Sequence, residues 1–329
     1  MRALRHPLFA LLAAVLLIAG ACGDDDTDSS AEVPEDPTTT IGAQDLGDDD
    51  DSSAEVPEGP TITIGAQDFG ESAILAELYG QALENAGYPV AQQSLGGFRD
   101  VVYTSFESGD INFTAEYAAS ALEFLNGGAG EASGDIEPTA EALSAQLDDL
   151  GLVALDPSPA VNSNSFVVTQ ETADELGLGA ISDLTDDLRL GGPPDCTENA
   201  SCIPGLQSVY GIDLSGRFTP LDGGGPLTVA ALEGDEIDVA ILFSTDGTIA
   251  DKGWVVLEDD MGLTNADNIV PVTSTAVIEA YGDELVSLVD RVSAALDTSG
   301  LAELNRLVAI ELGDADAVAA DWLADNGFS

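Results

Sequence analysis

The sequence predicts an α/β fold in two lobes, and three patterns carry that prediction. Strand-like and helix-like apolar spacings alternate from residue 61 onward, a second alternating series follows the first, and residues 275–326 read as almost wholly helical. The first strand is 61–65, where Ile62 and Ile64 alternate with Thr61 and Thr63. Ile74, Leu75, Leu78, Tyr79, Ala82 and Leu83 then keep helical spacing. Asp68, followed three residues later by Glu71, marks the helix start, and Gly87 marks its end. A strand over 90–95 comes next, Gly97-Phe98-Arg99-Asp100 opens a helix to Glu107, and Gly109-Asp110 turns into a strand over 111–117. A helix over 138–150 leads to a strand at 152–155. This order argues a mainly parallel sheet. The second series has strands at 166–169, 188–191, 218–221, 239–243 and 255–257, with helices near 205–210 and 226–233.

The N-terminus reads differently. Arg2 and Arg5 precede an apolar stretch from Leu8 to Ala19, and small residues lead to Cys22, so 1–21 is expected to be a signal peptide. The stretch is short for a membrane span. Ala19-Gly20-Ala21-Cys22 resembles a bacterial lipobox, in which the cysteine is acylated and becomes the first residue. Ala19 stands where such motifs usually carry leucine, which leaves cleavage by an ordinary signal peptidase open. Residues 22–60 read as an acidic disordered tether, with aspartate runs at 24–26 and 48–51 among Ser, Thr, Pro and Glu. The tether holds a duplication: residues 29–47 and 52–70 match at sixteen of nineteen positions. Only the second copy continues into an amphipathic helix, so the fold is expected to begin there.

Composition excludes several kinds of chemistry. His6 is the single histidine and would leave with the leader, so the exported chain has no imidazole for a general base or a metal ligand. Carboxylate-only catalysis survives this exclusion. The chain carries 61 acidic against 8 basic residues, a formal charge of -53, and loss of Arg2 and Arg5 makes it more negative still. Such a surface repels nucleic acid and anionic headgroups. It suits a saline habitat, where salt screens the self-repulsion, and it also attracts cationic ligands. No Walker-type Gly-rich loop ending in Gly-Lys-Ser/Thr occurs, and no cofactor is implied.

Six segments together resemble one family. They are Thr61-Ile-Thr-Ile-Gly-Ala-Gln-Asp-Phe69; Glu107-Ser-Gly-Asp-Ile111 with Ala115-Glu116-Tyr117; Leu188-Arg-Leu-Gly-Gly-Pro-Pro194; Leu221-Asp-Gly-Gly-Gly-Pro-Leu227; Leu242-Phe-Ser-Thr-Asp-Gly247; and Val255-Val-Leu-Glu-Asp-Asp260. In this order and spacing they resemble the substrate-binding lipoproteins of glycine betaine/choline-type ABC importers, which take up quaternary amine osmoprotectants. The resemblance implies the bilobed type II periplasmic-binding-protein fold. Lobe 1 would be 61–162 plus 272–329 and lobe 2 would be 163–271, joined by a two-segment hinge around a ligand cleft. It also implies a monomer that delivers its ligand to a membrane permease.

A quaternary ammonium has charge but no N–H, so aromatic faces must hold it. The resemblance places Tyr117, Phe166 and Phe243 at cage positions and Gln67, Ser120 and Asn164 at further ligand contacts. Asp267 falls near a fourth position that is commonly tyrosine. Many relatives hold a betaine carboxylate with a Lys after the first strand and an Arg after Gly-Gly-Pro-Pro. Gln67 and Asn199 stand there in this chain, which shifts the expected ligand toward net positive charge, with Arg99 the one base able to restore carboxylate recognition. Phe166 and Phe243 each lie in apolar strand runs, where ordinary core packing is the competing role. Cys196 and Cys202 form an even pair in a loop, expected to be a disulfide in an exported protein. An importer's receptor is the leading reading. An amine-sensing lipoprotein that does not transport is the alternative, with an enzyme on the same fold behind it.

Overall fold

A computed structural model describes residues 58–96 and 98–329. The leader, Cys22 and nearly all of the tether, with the first copy of the duplication, lie outside the described residues.

The first lobe opens with β1 (Ile62–Ala66), whose Ile62 and Ile64 are fully buried. Helix α1 (Gly70–Asn85) follows and buries Ile74, Leu75, Leu78, Tyr79, Ala82 and Leu83 on one face. Its N-cap is Phe69 and carries no side-chain bond, so Asp68 and Glu71 do not form the expected cap. Glu71 is turned inward instead. Strand β2 (Val90–Ser94), helix α2 (Arg99–Ser108), strand β3 (Phe113–Tyr117), helices α3 (Ala118–Leu125) and α4 (Ile136–Asp148), and strand β4 (Leu152–Ala154) complete this run. Gly109 ends α2 in the left-handed region at φ 78°, a conformation glycine adopts without steric cost.

The second lobe comprises β5 (Asn164–Val168), α5 (Gln170–Leu176), β6 (Leu190–Gly192), α6 (Ile203–Gly205, continued by a wide turn to Tyr210), β7 (Phe218–Pro220), α7 (Pro226–Glu233), β8 (Val239–Phe243), α8 (Gly247–Lys252) and β9 (Val255–Val256). The chain then returns through β10 (Ile269–Ser274) to α9 (Thr275–Ala295), α10 (Thr298–Ala309) and α11 (Ala315–Asp325). Because β10 pairs with the first sheet from its first residue, Ile269 opposite Tyr117, residues 269–271 belong with that sheet.

Each lobe has one five-stranded sheet, ordered β2-β1-β3-β10-β4 and β7-β6-β8-β5-β9. Both are mixed rather than simply parallel. In the first, β10 runs antiparallel to β3 and β4; in the second, β5 runs antiparallel to β8 and β9. These are the two strands that enter a lobe from the other one. Parallel strands end at the cleft, so a strand that starts there must run the opposite way. The crossings themselves pair as a short ribbon: Val161 bridges Asn268, Asn162 N–H donates to the Asp267 carbonyl at 2.9 Å, and Ile269 N–H donates to the Ala160 carbonyl at 3.0 Å.

The C-terminal helices cover the first sheet. Val277, Leu285, Val289, Val292, Leu301, Leu304 and Leu323 join the cluster built on β1 and α1. Helix α10 also touches the second lobe: a Cβ added at Gly247 would lie 2.5 Å from Arg306 Cα, a close approach that only glycine permits. Cys196 and Cys202 are disulfide-bonded with Cα atoms 5.2 Å apart, and both are buried in the second lobe's core.

Candidate ligand-binding cleft

The carboxyl ends of the parallel strands face each other across a cavity of about 700 Å³. This is where α/β sheets generally hold ligands, because loops there are free to vary while the strands fix their roots.

Tyr117 ends β3 and forms part of the floor. It is only 6 % exposed, and its hydroxyl donates to Glu71 Oε1 at 2.7 Å. Burial, and then the Glu71 carboxylate, push this phenol well above its ordinary pKa. The ring of Phe69 lies 6.2 Å from that of Tyr117, tilted by 36°. Phe69 (41 % exposed) and Phe243 (47 % exposed) both line the cavity. Open aromatic faces of this size inside a cleft suit an apolar or cationic ligand.

Ser120 follows Tyr117 at the start of α3. Its N–H and hydroxyl both donate to Asp267, at 2.7 and 3.0 Å. Burial raises the Asp267 carboxyl above its ordinary range, against the opposing pull of the Ser120 donors and Arg99. Asp267 lines the cavity, as do Asn164 and Asn199. Arg99 is the basic residue at the cavity wall, and its Nε is committed to both oxygens of Glu116, at 3.0 and 3.2 Å. Glu116 is itself buried, and burial raises its carboxyl despite Arg99. The other lining acids are Glu71, Glu123 and Asp246. Glu123 accepts from the N–H groups of Gly130 and Ala132, and Asp246 caps α8. With Arg99 matched by Glu116, the cavity's balance is negative.

The structure thus gathers Tyr117, Ser120, Asn164, Phe243 and Asp267 at one cavity. Two expected contacts fall elsewhere. Phe166 is fully buried in the second lobe's core. It shares the face of Asn164 but lies two residues deeper along β5, about 7 Å from the strand's cleft end. Gln67 is buried behind the β1–α1 corner, where its N–H donates to Ser72 Oγ at 2.9 Å, and the cavity side of that corner is taken by Phe69, Gly70 and Glu71. Phe69 and Glu71 were not legible as site residues. Their signal was an aromatic and an acid at a strand-to-helix corner, which reads equally well as a helix start.

Fold and cleft together define a two-lobed protein with a cavity of small-molecule size between its lobes. Residues 60–325 match the family model described as the substrate binding domain of ABC-type glycine betaine transport system, and the chain belongs to that family. The glycine betaine-binding protein YehZ of Escherichia coli (strain K12) is 28 % identical over 271 residues, covering 79 % of this chain and 88 % of that protein. A glycine-betaine-binding protein of Pseudomonas aeruginosa is 27 % identical over 282 residues, covering 78 % and 85 %. Among solved structures, apo YehZ from E. coli superposes with a TM-score of 0.71 at 26 % identity, over 82 % of this chain and 99 % of that one. A glycine betaine/carnitine/choline ABC transporter structure superposes with a TM-score of 0.72 at 23 % identity, over 81 % and 99 %, and shares the fold. The chain is therefore a substrate-binding protein of ABC-type transport with a periplasmic-binding-protein fold, extracytoplasmic and not an enzyme. Among the described residues no helix is long and apolar enough to cross a membrane.

Proposed function

We propose that this protein captures a small quaternary ammonium osmoprotectant outside the membrane, closes its lobes over it and hands it to a permease. The observation that carries this reading is the set of aromatic rings Phe69, Tyr117 and Phe243 around one cavity whose charge balance is negative. Quaternary methyl groups offer no hydrogen-bond donor, so ring faces and nearby carboxylates are what can hold them. Asp267 and the pairing of Arg99 with Glu116 favour a net cation over a zwitterion. Choline, or another cationic amine, is expected to bind at least as well as glycine betaine. Calorimetry with choline, glycine betaine and carnitine in molar salt tests the reading. Tight betaine binding without choline binding rejects the charge preference, and binding of none of the three rejects the ligand class.

The lipobox-like ending at Cys22 and the acidic tether support a protein anchored to the outer face of the cell membrane. Mass spectrometry of the exported chain decides it: an unmodified N-terminus at any residue other than an acylated Cys22 refutes the anchor. The 61 acidic residues support adaptation to salt, and a melting temperature unchanged between dilute buffer and molar salt refutes that.

A further inference from the structure

Glu71 is buried at the β1–α1 corner, and its carboxylate collects donors from four places in the chain. Oε1 accepts from the Tyr117 hydroxyl at 2.7 Å and from Asn162 Nδ2 at 2.6 Å. Oε2 accepts from the Thr245 hydroxyl at 2.5 Å and from Asn305 Nδ2 at 2.6 Å. Four acceptor positions are the full capacity of an ionised carboxylate, and no cation is among the partners. The partners are not neighbours. Tyr117 ends β3 in the first lobe, Asn162 lies in the crossing ribbon, Thr245 follows β8 in the second lobe, and Asn305 stands on α10. Asn305 also donates to the Thr245 carbonyl at 2.8 Å, which closes the circuit. Among the described residues Asn162 Oδ1 is buried without a partner, while its Nδ2 is turned to Glu71.

We infer that Glu71 is a clasp: it ties the second lobe to the β1–α1 corner and to α10 of the first lobe at the hinge, and through the same carboxylate it holds Tyr117 in place for ligand. Glu71 is a positioning residue, and its effect on affinity passes through the Tyr117 hydroxyl. The inference rests on the reading of the cleft as the ligand site, but the tie itself does not need ligand. Glutamine replaces it poorly. Gln offers one acceptor oxygen and one donor NH₂, and each oxygen of Glu71 faces an amide NH₂ that can only donate, so one pair breaks unless an asparagine amide turns over.

Two measurements test the clasp. In the unliganded protein, hydrogen exchange followed by mass spectrometry is expected to rise in Glu71→Gln at the ribbon around Asn162, the turn around Thr245 and the second half of α10 around Asn305, with the cores of both lobes unchanged. Thr245→Val, which keeps shape and removes one donor, is expected to raise exchange in the same segments to a smaller extent, and it serves if Glu71→Gln folds poorly. Exchange that is unchanged in Thr245→Val, or raised evenly through both lobes in both variants, overturns the tie. With choline as probe, Glu71→Gln is expected to weaken binding about tenfold in the wild-type background and less than threefold in Tyr117→Phe, because the hydroxyl it holds is gone. Equal effects in the two backgrounds overturn the positioning role. If the wild type binds none of choline, glycine betaine and carnitine, the ligand reading falls, and the exchange experiment still decides the clasp.

Discussion

The two walls of the cleft are built to different standards. On the first lobe, Tyr117 is hydrogen-bonded and Ser120 is tied to Asp267 of the crossing ribbon, and Tyr117 is almost wholly buried before any ligand arrives. On the second lobe, Phe243 is about half exposed at the very end of β8 and Asn164 begins β5 opposite it. One wall is fixed in advance and the other is left open. A pre-organised surface loses little entropy on binding, whereas an exposed one gains most of its burial only when the lobes meet. If the proposed reading of the cleft holds, ligand selection belongs to the first lobe and retention to closure of the second.

The largest effect is expected at a residue that belongs to neither wall. Phe166→Ala removes a fully buried ring from the second lobe's core and should cost about 3–5 kcal/mol of stability, read by denaturant unfolding, while the folded fraction keeps its choline affinity. An affinity loss without a stability loss would return Phe166 to the site. Tyr117→Ala comes next. It removes the floor of the fixed wall and should weaken choline binding by roughly 2–3 kcal/mol, on the order of 100-fold by calorimetry. Phe243→Ala, on the open wall, should cost only about 1 kcal/mol, roughly fivefold, and show mainly as faster release. If Phe243→Ala proves the more damaging of the two, the roles of the walls are reversed.

The smallest effect is on pH. Burial raises Asp267, so the folded chain keeps this proton to higher pH than the unfolded chain does. Between the ordinary carboxylate value of about 3.9 and the raised one, the folded state binds more protons. Stability contributed by Asp267 is thus present at the acid end and is lost as pH rises through the raised value. A bound cation favours the ionised form, so affinity should rise over the same interval. Arg99 and Ser120 pull Asp267 down and Glu116 lies nearby, so Asp267→Asn is the control that should flatten the affinity curve. Affinity falling with rising pH would remove Asp267 from cation recognition.

Much of the architecture was legible because apolar spacing encodes it. Strand 239–243 and the buried face of α1 follow from period and burial alone. The α3 helix was not legible, since Ala118–Leu125 continues directly from a strand with no polar break. The mixed pairing was equally hidden. Ile269–Ser274 is apolar enough for either direction, and only its position after the crossing sets its sense. At the cleft, Tyr117 and Asp267 were found through the family resemblance, while Glu71 was read as a cap. A carboxylate in a helix's first turn looks the same in sequence whether it faces solvent or gathers four donors.

The place of β10 between β3 and β4 has a consequence for how the molecule is made. The second lobe's strands all come from one uninterrupted stretch, 164–256, so that sheet can form once this stretch is available. The first sheet cannot, because β4 has no partner strand until residues 269–274 are present. The lobe that begins first should therefore finish last, and its unpaired β3 and β4 edges stay exposed in the meantime. A chain ended at residue 260 should yield a protease-resistant fragment from the second lobe and none from residues 58–155. Protection of the earlier stretch in that truncated chain would show that the first lobe does not wait.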